Sequence, residues 1–154
     1  MNDGPQIRDY FAEMYVAGIL ADKGWNVYFP RRDKGFDFII TKDLDKRIMV
    51  RPVQVKGKYP EEGKTDRNVY GYIGKLTQLH EDMVLAIAFF SNDSTMKAPD
   101  CVAYIPRTMI RPQASRGYAC QPAKFIDGKA TPRRDFAKYF DDTGIAKMES
   151  KKWK

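Results

Sequence analysis

Apolar residues follow two kinds of spacing along this chain, and each predicts a different element. In residues 6–23 they recur three and four positions apart, which predicts a helix that begins near Pro5 and ends before Gly24. Residues 83–90 are apolar without interruption, which predicts a buried central strand. The helical stripe predicted to face the core, with Gly18 allowing close approach of a neighbour, is Ile7, Tyr10, Phe11, Met14, Ala17 and Ala21.

Residues 36–56 contain two apolar runs on either side of a polar linker at residues 42–46, a pattern typical of a β-hairpin. Strand side chains alternate between faces, so Gln54 and Lys56 share one face, and Asp37 on the first strand can reach it. These polar groups either belong to a solvated sheet face or form a functional site. Because the flanking residues are apolar on both faces, we expect a buried carboxylate or ammonium to be paired or to bind a metal.

The remaining segments have weaker patterns. Pro52 lies inside the second hairpin strand, which predicts an edge position or a bulge, since proline donates no hydrogen bond to a ladder. The other predicted elements are strands over residues 25–29 and 101–105, a polar loop or lid over 57–71, a helix over 72–82, loops or a hairpin over 107–129, a helix from Thr131 to about Phe140, and a frayed tail from residue 147.

The composition is that of one globular domain of 154 residues, with 43% hydrophobic residues and a net charge of +7. This charge favours a polyanionic partner such as nucleic acid, although some basic proteins are simply soluble. The longest apolar run is too short to span a membrane, and the N-terminus has no signal-like apolar segment. We therefore expect no membrane association and a cytoplasmic location.

The sequence lacks the residues that several other kinds of catalysis or metal binding require. Cys101 and Cys120 have neither metal-ligand spacing nor a disulfide framework, and the lone His80 makes a zinc site improbable. We expect His80 to be a surface or boundary side chain. The sequence also has no nucleophile elbow, which disfavours serine-nucleophile catalysis.

Four polar residues follow one another along the chain on elements of defined type. They are Glu13 in the first helix, Asp37 on the first hairpin strand, and Gln54 and Lys56 on the second. In this order the chain resembles the PD-(D/E)xK nuclease superfamily over about residues 6–56, and more loosely to residue 105. The position of the helical glutamate resembles that in archaeal Holliday-junction resolvases. The Gln-x-Lys pair resembles the one in methylation-dependent restriction enzymes. The chain departs from the family at two positions. Phe36 stands where the motif has proline, and Gln54 stands where the motif usually has glutamate, which removes one negative charge from the metal site.

The resemblance implies an α/β fold with a restriction-endonuclease-like αβββαβ core, in which helices flank a central mixed sheet. We expect one domain over residues 1–154, with this core at about residues 6–106 and a C-terminal extension at about 107–154. It also implies a Mg²⁺-dependent DNA endonuclease, with Mn²⁺ as a substitute ion. The Holliday-junction-resolvase type is expected first. The alternatives are a restriction or homing-type enzyme on linear duplex DNA, a nucleic-acid-binding module that does not cleave, or a basic domain with a coincidental motif.

The resemblance assigns a role to each motif residue. Asp37, the Gln54 amide oxygen and the Val55 carbonyl would ligate the metal, and Glu13 would hold a water of its hydration shell. Lys56 would orient the attacking water and stabilise developing negative charge. Cleavage of both strands needs two sites, so we expect a homodimer or higher homo-oligomer. Cations that flank the motif and are predicted to bind DNA are Arg31, Arg32, Lys34, Lys58, Lys64 and Arg67.

Overall fold

A five-stranded sheet lies at the centre of the fold, which a computed structural model describes for residues 3–32, 35–60, 68–69, 79–91, 98–113, 117–150 and 153. The helices and strands, in chain order, are α1 (Asp3–Asp22), β1 (Asn26–Tyr28), β2 (Phe38–Leu44), β3 (Arg47–Lys58), β4 (Asn68–Val69), β5 (Val84–Phe89), β6 (Cys101–Pro106), β7 (Arg111–Gln113), β8 (Gly117–Ala119), β9 (Ala123–Ile126), β10 (Lys129–Pro132) and α2 (Asp141–Met148). Two 3₁₀ helices cover Arg107–Met109 and Arg134–Tyr139.

The strand order of the central sheet is β1-β2-β3-β5-β6. Strands β3 and β5 are parallel, and the other neighbours are antiparallel, so the sheet is mixed. Every residue of β5 is buried, because strands flank it on both sides and packed layers cover both of its faces. The α/β class, the mixed sheet and the buried central strand are therefore confirmed.

The two faces of the sheet are covered by different structures. One face, which carries Val53 and Val55, packs against α1 and α2 and is called the helix face here. The opposite face carries Leu85 and Ile87 and packs against residues of the C-terminal region, including Phe125. We call it the site face, and its cover the C-terminal layer, built from the small sheet β10-β9-β4, the hairpin β7-β8 and the two 3₁₀ helices. Helices thus cover one face, whereas the described cover of the other is mainly β-structure.

Helix α1 forms where it was predicted, but only part of the predicted stripe, including Phe11 and Ala17, packs against the core. Tyr10 and Met14 are 64% and 44% exposed, whereas Val16 and Leu20 are buried with Ala12 and Ala17 against the sheet. Gly18 is exposed, and among the described residues no neighbouring atom lies within 4 Å of a Cβ placed there, so no close approach is found at this position. The predicted C-terminal stop is correct, because Gly24 has a φ of +94° and the Trp25 N–H donates to the Leu20 carbonyl at 3.0 Å.

The predicted hairpin is present, with a tighter turn than the linker suggested. Leu44 pairs with Arg47, which leaves Asp45 and Lys46 as the turn, and Asp45 adopts a left-handed φ of 56°. The β2–β3 register continues without interruption through Pro52, so no bulge forms there. Pairing with β5 begins one residue later, at Val53, which leaves Pro52 in the part of β3 that β5 does not flank.

The C-terminal region contains more strand than the sequence suggested. The predicted hairpin within residues 107–129 is confirmed by β7 with β8, and a second hairpin joins β9 and β10 through Asp127 and Gly128, whose φ angles are 51° and 78°. The helix predicted from Thr131 is wrong, because Thr131 and Pro132 belong to β10. A 3₁₀ helix follows after Arg133, and α2 begins only at Asp141.

The C-terminal tail contributes to the core rather than fraying throughout. Trp153 is only 3% exposed, and its indole N–H donates to the Met83 carbonyl at 3.0 Å. This contact joins the end of the chain to the start of β5. The prediction of a frayed tail is therefore wrong at this position.

Other sequence predictions fall partly or wholly outside the described residues. Most of the predicted helix over residues 72–82 does so, and its last four positions are coil and turn rather than helix. Of the loop predicted over residues 57–71, positions 57–58 belong to β3 and 68–69 to β4, while 61–67 and 70–71 lie outside the described residues. No helix in the described part of the chain is long and apolar enough to cross a membrane.

Two glycines give a matched test of this packing. Gly144 in α2 is buried, and a Cβ there would collide with the backbone of Tyr139, so Gly144→Ala is expected to destabilise the fold by about 1–3 kcal/mol. Gly18→Ala in α1 adds a methyl group that touches none of the described residues and should stabilise the fold by up to about 1 kcal/mol. Urea denaturation of both variants measures the two changes, and a neutral Gly144→Ala would contradict the close packing of α2.

Candidate active site

Asp37 and Gln54 meet where the β2–β3 hairpin joins the rest of the sheet. Asp37 directly precedes β2, and its Oδ2 accepts a hydrogen bond from Gln54 Nε2 at 3.0 Å. The same oxygen accepts the backbone N–H of Val55 at 2.7 Å. The predicted approach of Asp37 to the Gln54 face is therefore present, with a backbone contact that the sequence did not reveal.

At the end of the β2–β3 ladder, the Asp37 carboxylate accepts a hydrogen bond that a backbone carbonyl would otherwise accept. The last β2–β3 pair is Phe38 with Val53, and continuing that register would place Phe36 opposite Val55. Instead the Asp37 N–H donates to the Val53 carbonyl at 2.9 Å, and the carboxylate takes the Val55 N–H. This bond fixes the carboxylate in place, so Asp37 has a structural use whether or not it has a chemical one.

Lys56 lies on the same face as Gln54. In the parallel pairing of β3 with β5, Gln54 stands beside Leu85 and Lys56 beside Ile87, without a break in register. Leu85 and Ile87 are core residues of the site face, so Gln54 and Lys56 also belong to that face. Both side chains are half-buried, which leaves part of each accessible to a ligand.

The site lies beside an uncovered part of the sheet. The C-terminal layer covers the site face over β5 and β6, but the same face of β1, β2 and β3 exposes Tyr28, Ile39, Ile48 and Val50. The registers of Tyr28 with Ile39 and of Thr41 with Val50 place these side chains on one face. Asp37, Gln54 and Lys56 therefore border an open sheet surface on one side and the C-terminal layer on the other.

The donor atoms at this point fit a hard divalent cation. Mg²⁺ prefers oxygen ligands, and Asp37 and Gln54 offer a carboxylate and an amide oxygen. In a strand, the N–H and C=O of one residue point to the same neighbour, so the Val55 carbonyl points past the last β2–β3 pair, toward the side of Asp37. Binding of a cation by both side chains would replace the present Gln54–Asp37 hydrogen bond. Among the described residues, no cluster of three or more His, Cys, Asp or Glu side chains is suited to a metal.

Glu13 approaches from the other side of the sheet. Its helix, α1, packs on the helix face through Ala12 and Val16, whereas Gln54 and Lys56 belong to the site face. Glu13 is half-buried beside this contact. Phe11, two residues earlier, has its ring centre 6.0 Å from that of Phe90, so this part of α1 lies near the end of β3 that carries Lys56. A role for Glu13 would require its carboxylate to reach around the strand ends.

The predicted DNA-binding cations are only partly described. Arg31 and Arg32 are exposed in the loop between β1 and β2, and Lys58 is half-buried at the end of β3. Lys34, Lys64 and Arg67 lie outside the described residues. The described members of the set therefore flank the site along the chain on both sides.

Tyr28 is a candidate that the sequence interpretation missed. It is 55% exposed and stands beside Ile39, two positions from Asp37 on the same face of β2. An exposed aromatic ring near cations is a common platform for nucleic-acid bases. The alternation of residues 25–29 could have assigned this ring to the site face, once β1 was known to pair with β2.

The cysteines and the histidine offer no competing chemistry. Burial raises the pKa of Cys101 and of Cys120 to about 12, so both thiols are protonated at neutral pH and poor nucleophiles. His80 is exposed, and its Nδ1 accepts the Asp82 N–H at 3.0 Å. The prediction of a surface histidine is confirmed.

Comparison with known proteins provides no family assignment. The chain matches no model of a known protein family and no curated protein. The chemical interpretation of the site therefore depends on the geometry described above.

Proposed function

We propose that this protein is a metal-dependent DNA endonuclease of the PD-(D/E)xK type, with a restriction-endonuclease-like core. The observation that carries this proposal is the meeting of Asp37, Gln54 and Val55 at one ladder end, with Lys56 on the same face. An exposed surface with Tyr28, and the net charge of +7, suit a nucleic-acid substrate. We keep the Holliday-junction-resolvase type as the first candidate and propose a homodimer that cuts both strands.

Each side chain has a distinct task in this proposal. Asp37, with the oxygens of Gln54 and Val55, would hold Mg²⁺. When bound, such an ion neutralises phosphate charge and lowers the pKa of water. Lys56 would place its ammonium near the phosphate, where negative charge develops as the bond breaks. The hydrogen bond from Val55 to Asp37 keeps the carboxylate oriented, so little reorganisation is needed.

Cleavage assays on three DNA forms test the proposal. The protein is incubated with linear duplex, single-stranded and four-way-junction DNA, with Mg²⁺, with Mn²⁺ or with chelator. We expect metal-dependent cleavage, fastest on the junction, and none with chelator. Faster cleavage of linear duplex would favour the restriction or homing-type alternative, and binding without cleavage would favour the non-cleaving module.

Asp37→Asn is the matched control for contaminating nuclease. Asparagine keeps an acceptor oxygen for the Val55 N–H but removes the negative charge that a metal needs. We expect a folded variant that cleaves no DNA at ordinary Mg²⁺ concentration and recovers part of its activity at higher concentration. If equally purified wild-type and variant cleave at the same rate, the activity does not come from this site.

Gln54→Glu tests the metal site without needing cleavage. A second carboxylate adds attraction for the cation of about 1 kcal/mol per unit charge at 4 Å in water. Because Mg²⁺ carries two charges, this attraction amounts to about 2 kcal/mol, and we expect the Mg²⁺ affinity to rise by roughly thirtyfold. Without metal, two neighbouring carboxylates should lower the melting temperature, and Mg²⁺ should restore it. Melting curves that do not respond to Mg²⁺ in either protein would contradict the metal site.

A further inference from the structure

A basic pocket lies in the C-terminal extension, a region that the nuclease resemblance does not cover. Its volume is about 320 Å³, and it opens beside the β9–β10 hairpin. Three cationic side chains line it against one carboxylate, so its net charge is positive. The lining residues are Lys124, Thr131, Pro132, Arg133, Arg134 and Asp135.

The hairpin that lines this pocket packs against the central sheet. Lys124 pairs with Thr131, and both side chains are exposed on the outer face of the hairpin. The alternate residues point inward, where the ring of Phe125 contacts that of Phe89 on β5 at 6.2 Å. The pocket is therefore joined through this contact to β5, the strand that flanks β3, on which Gln54 and Lys56 lie.

Arg133 is held in place by several contacts. Its backbone N–H donates to the Pro122 carbonyl at 2.8 Å, and its Nη1 donates to the Gln121 carbonyl at 2.9 Å. Its guanidinium lies 6.0 Å from the ring centre of Phe136. A guanidinium has five N–H donors, and these contacts use only one of its nitrogens in the described structure. A guanidinium fixed in this way is suited to a phosphate group, since its planar fork matches phosphate oxygens.

We infer that this pocket binds a phosphate of the DNA backbone, as a second contact away from the cleavage site. The C-terminal layer covers the same sheet face that carries Gln54 and Lys56, and packed sheets lie about 10 Å apart. The pocket is exposed on the outer side of this layer, so it opens on the same side of the central sheet as Gln54 and Lys56, where one duplex can lie across both. The inference takes its substrate from the proposed function, but binding can be measured without cleavage.

A salt titration with two double variants tests the inference. The pocket variant is Lys124→Gln with Arg134→Gln, and the control is Lys46→Gln with Arg47→Gln at the exposed β2–β3 turn, which loses the same charge. Anisotropy of a labelled duplex is measured in chelator over a range of NaCl concentrations. We expect the pocket variant to bind roughly tenfold to a hundredfold more weakly at 0.1 M salt, with a salt slope smaller by about two.

The outcomes separate this inference from the nuclease proposal. If both double variants melt at the wild-type temperature and the control variant binds DNA almost as tightly as the wild-type protein, the loss of affinity arises at the pocket. An equal loss in both double variants, or no loss in the pocket variant, overturns the inference even if the wild-type protein cleaves DNA. The inference is also overturned if the pocket binds inorganic phosphate but not DNA. In that case phosphate shifts the melting temperature of the wild-type protein and not that of the pocket variant, while the two proteins bind DNA equally well. A specific loss of binding supports the inference even if no cleavage is detected.

Discussion

Replacing Lys56 by alanine is expected to reduce the rate of DNA cleavage by roughly 10²–10³ while leaving the fold and most of the DNA affinity intact. The proposed role of the ammonium is to stabilise charge that develops in the transition state, so its loss raises the barrier more than it weakens ground-state binding. Single-turnover cleavage rates, measured beside binding in chelator, separate the two effects.

Lys58→Ala is the matched control, because Lys58 lies two positions further along β3 on the same face. Its loss should weaken DNA binding without a comparable change in the single-turnover rate. The structural alternative is that Lys56 only neutralises Asp37, so that its removal destabilises the fold. Asp37 keeps hydrogen bonds from Gln54 and Val55 in that variant, so we expect a small change in melting temperature. A Lys56→Ala protein that cleaves at the wild-type rate would remove Lys56 from the catalytic assignment.

The elements predicted correctly are those whose pattern is local. The apolar run of β5 and the paired runs of β2 and β3 predicted strands because strand burial repeats over a few residues. The same alternation predicted that Asp37 and Gln54 share a face, which their hydrogen bond confirms. It could not predict the bond from Val55 to Asp37, which depends on where β2 stops pairing.

The buried stripe of α1 was predicted only in part, because this helix has apolar residues around most of its circumference. Tyr10 and Met14 follow helical spacing as well as Val16 and Leu20 do, but only the second set packs against the sheet. The helix sequence gives no reason to choose between them. The choice depends on the strand residues that cover the helix, which are distant in sequence.

The C-terminal errors share a long-range cause. Thr131 and Pro132 carry a helix-start signal, but pairing with β9 places them in a strand. Trp153 lies in a charged tail, but its hydrogen bond to Met83 spans 70 residues of sequence. The basic pocket was missed for the same reason, because Lys124 and Arg134 come together only when the β9–β10 hairpin forms.

Arg51 is a buried cation that joins the C-terminal end of the fold to β3. It is only 3% exposed and belongs to the helix face of β3. Its Nε donates to the Met148 carbonyl at 2.8 Å, and its Nη2 donates to the Ser150 carbonyl at 3.0 Å. Its guanidinium lies 5.3 Å from the ring centre of Trp153. Burial lowers the pKa of Arg51, but an arginine remains charged at any ordinary pH.

Arg51→Met is therefore expected to lower the free energy of unfolding by about 3 kcal/mol, because the buried Met148 carbonyl and the partly buried Ser150 carbonyl at the end of α2 lose charged donors. For a domain of this size the melting temperature should fall by roughly 6–12 °C. Arg47→Met, at an exposed position of the same strand, should change stability by less than about 0.5 kcal/mol. Because Arg51 lies on the opposite face from Gln54 and Lys56, DNA cleavage well below the melting temperature should be retained. A melting temperature equal to that of Arg47→Met would show that these hydrogen bonds contribute little, and lost cleavage in a folded variant would show that the two faces are coupled.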